Sequence, residues 1–464
     1  MSKPLNAALI SCLMVAAAPA AEYRAASAAD INRLTAELKP GDSILMADGE
    51  WKDQAILFKG SGSGDNPITL RAATPGKVLL NGNSALIIDG QYLVVSGILL
   101  KDGTNPKDGI ALKGTHCRLT DSAVVDGTHK FFVHLFGSDN RMDHCYLAGK
   151  TSESPTLQVE AEGQPNHHRI DHNHFGPRPP LGRNGGETMR VGYSGQSMNS
   201  SATLVELNLF DRCDGELEII SSKSCDNVYR FNTFLDCAGM LTLRHGNRCL
   251  VDSNFFFGHH KRGSGGIRVI GEEHIIVNNY IDGVSQGAFW ITSGVPNSAL
   301  NQYFQAKKCV IAFNTVVDSA GAYVDLSAGL GTSGRTLKPQ DITIANNLFA
   351  LPPKGTLFKG TEGDGWKWLG NLAQLEDHAT TTEHPGLRFT ELKLKRASDD
   401  LLRPAADSPA HGLAEGDFPN VKVDIDGQLR AQKSDVGCDQ ISEAPITNRP
   451  LTAKDVGPAW LEQR

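Results

Sequence analysis

Past its first forty or so residues the chain is written in short apolar runs that break on glycine, aspartate or asparagine: SILMADGEW, ITLRAA, VLLNG, ALIIDG, YLVVSGILLKDG. Runs of this length between turn residues predict strands, with alternate side chains on opposite faces. The exception is DINRLTAELK, which predicts a short helix over 29–38, stopped by Pro40-Gly41 and placed to cap an open sheet edge and apolar core. Further on, rows begin at Asn173, Asn208, Asn232, Asn254, Asn279, Asn314 and Asn347, at intervals of 35, 24, 22, 25, 35 and 33. The rows from Asn208 and Asn232 superpose at a shift of 24: Phe210 over Phe234, Cys213 over Cys237, Cys225 over Cys249. A strand-type repeat of this period predicts an all-β parallel solenoid, one coil per row, with coils stacked about 4.8 Å apart. Asparagine repeated at a corner predicts a hydrogen-bonded ladder between coils. Intervals well above 24 predict loops inserted near 176–200, 284–308 and 327–340, on one face, walling a groove.

The same register sorts side chains. If Leu217 and Ile219 point inward, Glu216 and Glu218 point out. One coil on, Leu241 and Leu243 go in while Thr242 and Arg244 go out; another coil puts Ile267 and Val269 in and Arg268 out. Arg244 is thus expected to stand over Arg268, beside both glutamates, with Lys223 at the turn that follows. Two carboxylates, two guanidiniums and an amine converge on a wall whose core needs none of them.

Composition sharpens this picture. A chain of 464 residues is long for one globular core and ordinary for a solenoid, and its 48 glycines suit many turns. The net charge of −7 argues against a nucleic-acid partner. Between Lys223 and Arg268, however, seven Lys/Arg face three Asp, and a locally basic wall suits an anionic ligand. Lys3, an apolar run over about 7–18 and small residues predict a signal peptide, 1–20, too short to span a bilayer. An exported protein is expected, periplasmic or secreted, monomeric, with no membrane partner. A single domain is expected over 21–445, closed by DIDGQLR and SDVGCDQ, with an extended tail over 446–464. Cysteines 213, 225, 237 and 249 recur every half coil, which predicts ladders of free buried thiols rather than disulfides.

Glu216 and Glu218 are spaced to hold one Ca2+, to which Asn184 in RNGGET can add an amide oxygen; equally, the two glutamates can pair with Arg244 and Arg268. On a uronic acid polymer such a wall could run β-elimination. The substrate carboxylate must be neutralised, a base must take the C-5 proton, and an acid must protonate the leaving oxygen. A cation with the arginines can do the first, and Lys223, its amine made less basic by neighbouring cations, the second. For the third, Arg244, a water relayed by it, and His245 stay open, because a guanidinium parts reluctantly with a proton.

The set NGGET (184–188), ELEIISSK (216–223), LRHGN (243–247) and GGIRVIG (265–271) resembles polysaccharide lyase family 6, which holds alginate lyases and chondroitinase B on a right-handed parallel β-helix. The likeness runs from PGDSILMADGEW to DVGCDQ. It implies Asn184, Glu216 and Glu218 as Ca2+ ligands, Lys223 as base and Arg244 as acid, with Glu187, Arg190, His245 and Arg268 touching the sugar. NGGETMRVG and RHGN look more like the alginate lyases, so alginate is the expected substrate, with dermatan sulfate the alternative. Some members add a second β-helix domain associated with exo action; the length here leans toward endo action. Three rivals share the coils: a non-catalytic glycan-binding solenoid, which needs no Lys223 or Arg244; a pectinase-type hydrolase, which needs opposed carboxylates; and a uronate epimerase, whose Asp-Pro-His motif is not seen.

Overall fold

The computed structural model describes residues 20–375 and 384–463. The expected signal peptide, apart from Ala20, lies outside them, as does Cys12. Three parallel sheets of 14, 12 and 14 strands wrap one core, and successive strands of the chain pass from sheet to sheet as in a right-handed parallel β-helix. The 12-stranded sheet runs from Ala55–Ser61 to Phe358–Lys359 and carries the predicted site.

On this sheet the alternation becomes two columns. Leu86, Ile110, Val133, Leu157, Met189, Ile220, Leu241, Ile267 and Phe289 stack inward, in register and almost fully buried. The outward column reads Ala111, His134, Gln158, Arg190, Ser221, Thr242, Arg268, Trp290. Inside the coil Phe175, Phe210, Phe234 and Phe256 stack face to face, with centroids 4.7, 4.7 and 4.5 Å apart. That spacing is the rung spacing, so one aromatic per coil stacks in the interior of these four coils.

The asparagine ladder forms as expected and extends to Asn371. Each backbone N–H donates to the next asparagine's Oδ1, as from Asn208 to Asn232 at 3.1 Å, and each Nδ2 donates to a carbonyl of the preceding coil, as from Asn208 to Ile170 O at 2.9 Å. The ladder offsets a local strain: the residue before each asparagine, among them Leu207, Phe231 and Phe313, has φ of 54, 57 and 55°. Such left-handed corners cost of order 1 kcal/mol each for a residue with a Cβ. The eight cysteines among the described residues are all buried and unpaired.

The helix spans Ala28–Leu34 and is shorter than predicted. Ser27 caps it, and Ala28, Ile31 and Leu34 are its buried face. It stops because the chain turns to Asp42, whose carboxylate accepts from the backbone N–H of Lys39 at 2.9 Å and of Ala21 at 2.8 Å. Asn32 covers the end of the 12-stranded sheet, its Oδ1 accepting from Leu57 N–H at 2.9 Å. At the other end a two-stranded antiparallel pair, Leu394–Arg396 with Leu402–Pro404, interrupts the parallel pattern. The last residues run back along the coils: Leu451 N–H donates to Thr233 Oγ1 and Gly457 N–H to His172 O, each at 2.8 Å.

Candidate active site

The predicted groups meet on the 12-stranded wall, but not by the strict 24-residue register. The strand Glu218–Lys223 pairs with Met240–His245 through two irregularities: Glu218 opposes Met240 while Ile220 opposes Leu241, and Ser222 opposes Leu243 while Lys223 opposes His245. Ile219 is the extra residue in the first, so both Ile219 and Ile220 are buried. Arg244 is the extra residue in the second. Bulges bend the strand and re-aim the side chain. In the next pair, which is regular, Thr242 and not Arg244 stands in register with Arg268, correcting the expected stack. Lys223 also closes the strand rather than lying in the turn after it.

The charged groups still converge. Glu218 Oε1 lies 3.5 Å from Arg244 Nε and 3.6 Å from Arg268 Nη1. The pairing alternative is therefore realised for Glu218. Among the described residues Glu216 has no such partner: its Oε2 accepts only from Gly185 N–H at 3.2 Å, and its buried Oε1 accepts nothing. Glu187, expected from the resemblance to face the sugar, brings a third carboxylate within 4.8 Å of the other two. Its Oε1 lies 3.8 Å from Lys223 Nζ and 3.7 Å from Arg190 Nη1, while its Oε2 is buried without a partner. Asn184 is exposed, at the head of the loop that delivers Gly185.

Burial and the charges of Glu187 and Glu218 push the Glu216 carboxyl up to about 7. Three carboxylates this close, two of them with a buried unpartnered oxygen, could hold a cation, and all-oxygen donors suit a hard ion such as Ca2+. His245 is fully buried, and burial with the Arg244 and Lys223 charges pushes its imidazole down to about 3. That shift favours the neutral imidazole. Burial lowers the Arg244 guanidinium from its ordinary value, making it a better acid than in water.

The inserted loops supply groups that periodicity did not reveal. Gln302 O accepts from Arg244 Nη1 at 2.8 Å, and the Tyr303 ring lies 4.3 Å from the guanidinium of Arg244 and 4.4 Å from that of Arg335. Gln158 Oε1 accepts from Arg190 Nε at 2.7 Å. The only sequence signal for Tyr303 and Arg335 was that both fall in predicted insertions; neither lies in a repeating row.

Comparison with known proteins identifies the family. The family model for chondroitinase B matches residues 25–416. Among solved structures, the PL6 family alginate lyase AlyGC is 34% identical with a TM-score of 0.81, over 95% of this chain and 58% of that one. This chain thus spans less than two thirds of AlyGC. A mannuronic acid specific family 6 lyase from human gut microbiota is 32% identical, TM-score 0.73, over 80% and 91% of the two chains. The PL6 polysaccharide lyase Pedsa3628 from Pseudopedobacter saltans is 26% identical, TM-score 0.72, over 94% and 99%. No curated protein matches. The chain belongs to the chondroitinase B family of polysaccharide lyases, polysaccharide lyase family 6.

Proposed function

We propose that this lyase cleaves alginate by β-elimination with Ca2+ as cofactor. The observation that carries the reading is the pair of buried, unpartnered oxygens, Glu216 Oε1 and Glu187 Oε2, next to Lys223 and Arg244. Glu216 and Glu218, with Glu187 and Asn184 at hand, would hold the ion. When bound, it neutralises the uronate carboxylate and so acidifies C-5. Arg190, Arg268 and the neutral His245 orient the sugar. Lys223 takes the C-5 proton, the electron pair becomes the C-4/C-5 double bond, and the O-4 leaving oxygen receives a proton from Arg244, directly or through water. Solvent then restores both groups. The three carboxylates cluster at one place on the wall instead of flanking a sugar from opposite sides, which disfavours the hydrolase rival.

Alginate is favoured by the substrates of the 32–34% identical relatives. Dermatan sulfate is the second reading, because the matching family model is that of chondroitinase B. The roles fit an exported enzyme with residues 1–20 removed. Poly-mannuronate, poly-guluronate and dermatan sulfate, assayed side by side for new C-4/C-5 double bonds, separate the two readings. Turnover of dermatan sulfate alone overturns alginate.

A further inference from the structure

Two buried cations, Lys150 and Arg178, both grip Ser152, and among the described residues neither has a carboxylate partner. Lys150, 1% exposed, donates to His129 O at 2.7 Å and Glu153 O at 3.1 Å, and to Ser152. Arg178, 2% exposed, spreads its guanidinium over two loops. On one side it donates to Ser152 O at 3.1 Å, Ser154 O at 2.9 Å and Thr156 Oγ1 at 3.2 Å. On the other it donates to Gly185 O at 3.4 Å and to Glu187 O. The second loop is the one whose Gly185 N–H donates to Glu216 Oε2. Arg178 is also stitched to the coil that bears Glu216: its N–H donates to Arg212 O at 3.1 Å, and its carbonyl accepts from Asp214 N–H at 2.9 Å. The fit demands glycine at 215, where a Cβ would lie 2.9 Å from Arg178 Nε and 2.0 Å from Gly186 O.

Burying a guanidinium against carbonyls and one hydroxyl, with no carboxylate in contact, is costly unless its fixed fork is needed. Here it ties the peptides on both sides of the triad into one body. We infer that Arg178 is a positioning residue for the cation site: by gripping the carbonyls of Gly185 and Glu187 it holds the carboxylates of Glu187 and Glu216 together, preorganised for a divalent ion. The inference rests on the Ca2+ reading proposed above. Outer groups that orient metal ligands commonly contribute 10–100-fold in affinity.

The test is calorimetric titration of Ca2+ into the full mature chain, alongside lyase rates across calcium concentration. Arg178→Gln should weaken binding roughly 10–100-fold, with the rate recovering at saturating calcium. Arg178→Lys, which keeps charge but loses the fork, should fall between it and wild type. Thr156→Val removes one hydrogen bond and should weaken binding about fivefold. If Arg178→Gln fails to fold, the two milder variants decide. Wild-type calcium affinity in the variants, with only a lower melting temperature, overturns the inference. Absence of calcium binding by the wild type instead overturns the metal reading itself, and this inference with it.

Discussion

Two carboxylate triads of this molecule look alike by distance and differ in every partner. Glu187, Glu216 and Glu218 on the wall, and Asp424, Asp426 and Asp439 in the closing segment, each bring three carboxylate oxygens within 4.8 Å. Each contains one carboxyl that burial pushes up to about 7, Glu216 in the first and Asp439 in the second. A raised carboxyl therefore does not mark a functional site. The hydrogen-bond inventory does. Asp424 accepts from the N–H groups of Asp426, Gln428 and Gln440 at 3.0, 2.8 and 2.9 Å. Arg403 donates to both oxygens of Asp426, at 2.6 and 2.9 Å, and lies 3.1 Å from Asp439. That triad is closed by its own chain. The wall triad keeps two orphaned oxygens, Glu216 Oε1 and Glu187 Oε2. The lesson is that a buried polar cluster is structural when its valences are filled and a candidate site when they are not.

The largest expected contrast is chemical. Lys223→Ala should cut turnover at least ~10³-fold, near the upper range for a positioned base, with an unchanged melting temperature. A variant that turns over at the wild-type rate removes Lys223 from that role. Next come the triads themselves. Glu216→Gln should lower activity about a hundredfold and be partly rescued by added Ca2+. Asp426→Asn leaves Arg403 short of a buried partner and should cost about 3 kcal/mol of stability, while kcat per folded molecule and calcium affinity stay put. Calcium rescue of Asp426→Asn would erase the distinction between the two clusters.

A smaller, pH-dependent effect should separate them as well. A carboxyl whose pKa rises on folding stabilises the fold below its unfolded pKa, and that contribution is lost as pH rises through the folded value. In chelator, wild type should lose stability relative to Glu216→Gln between about pH 4.5 and 7. Saturating calcium should remove that difference, leaving any similar loss from Asp439 in place. Melting temperatures across pH, with and without calcium, check this. The smallest effect is on binding: Arg268→Ala should raise KM about tenfold with kcat within about twofold, as expected for losing one charge-assisted contact. An unchanged KM would take Arg268 out of the sugar-contact set.

Much of this was legible in the chain. Asparagine spacing predicts the ladder because one residue per coil must fill the same corner. Outward Glu218 and Arg268 follow from strand alternation. What alternation misses are breaks in its own rule. The two bulges that bury both Ile219 and Ile220 and re-aim Arg244 leave no periodic trace, since a bulge is one residue out of step. Glu187 and Arg178 escape a periodic reading for another reason. Glu187 joins the triad, and Arg178 grips its carbonyl, through contacts between segments of different coils that no local pattern encodes. Tyr303 and Arg335 come from insertions, whose positions the row intervals mark but whose conformations they do not.

The most direct test of the account follows the ultraviolet absorbance of newly formed C-4/C-5 double bonds while the purified chain acts on alginate, first in calcium, then in excess chelator, then with calcium restored. The account predicts a rise that stops on chelation and resumes with calcium. Cleavage without double bonds, or a rise indifferent to the chelator, would contradict it.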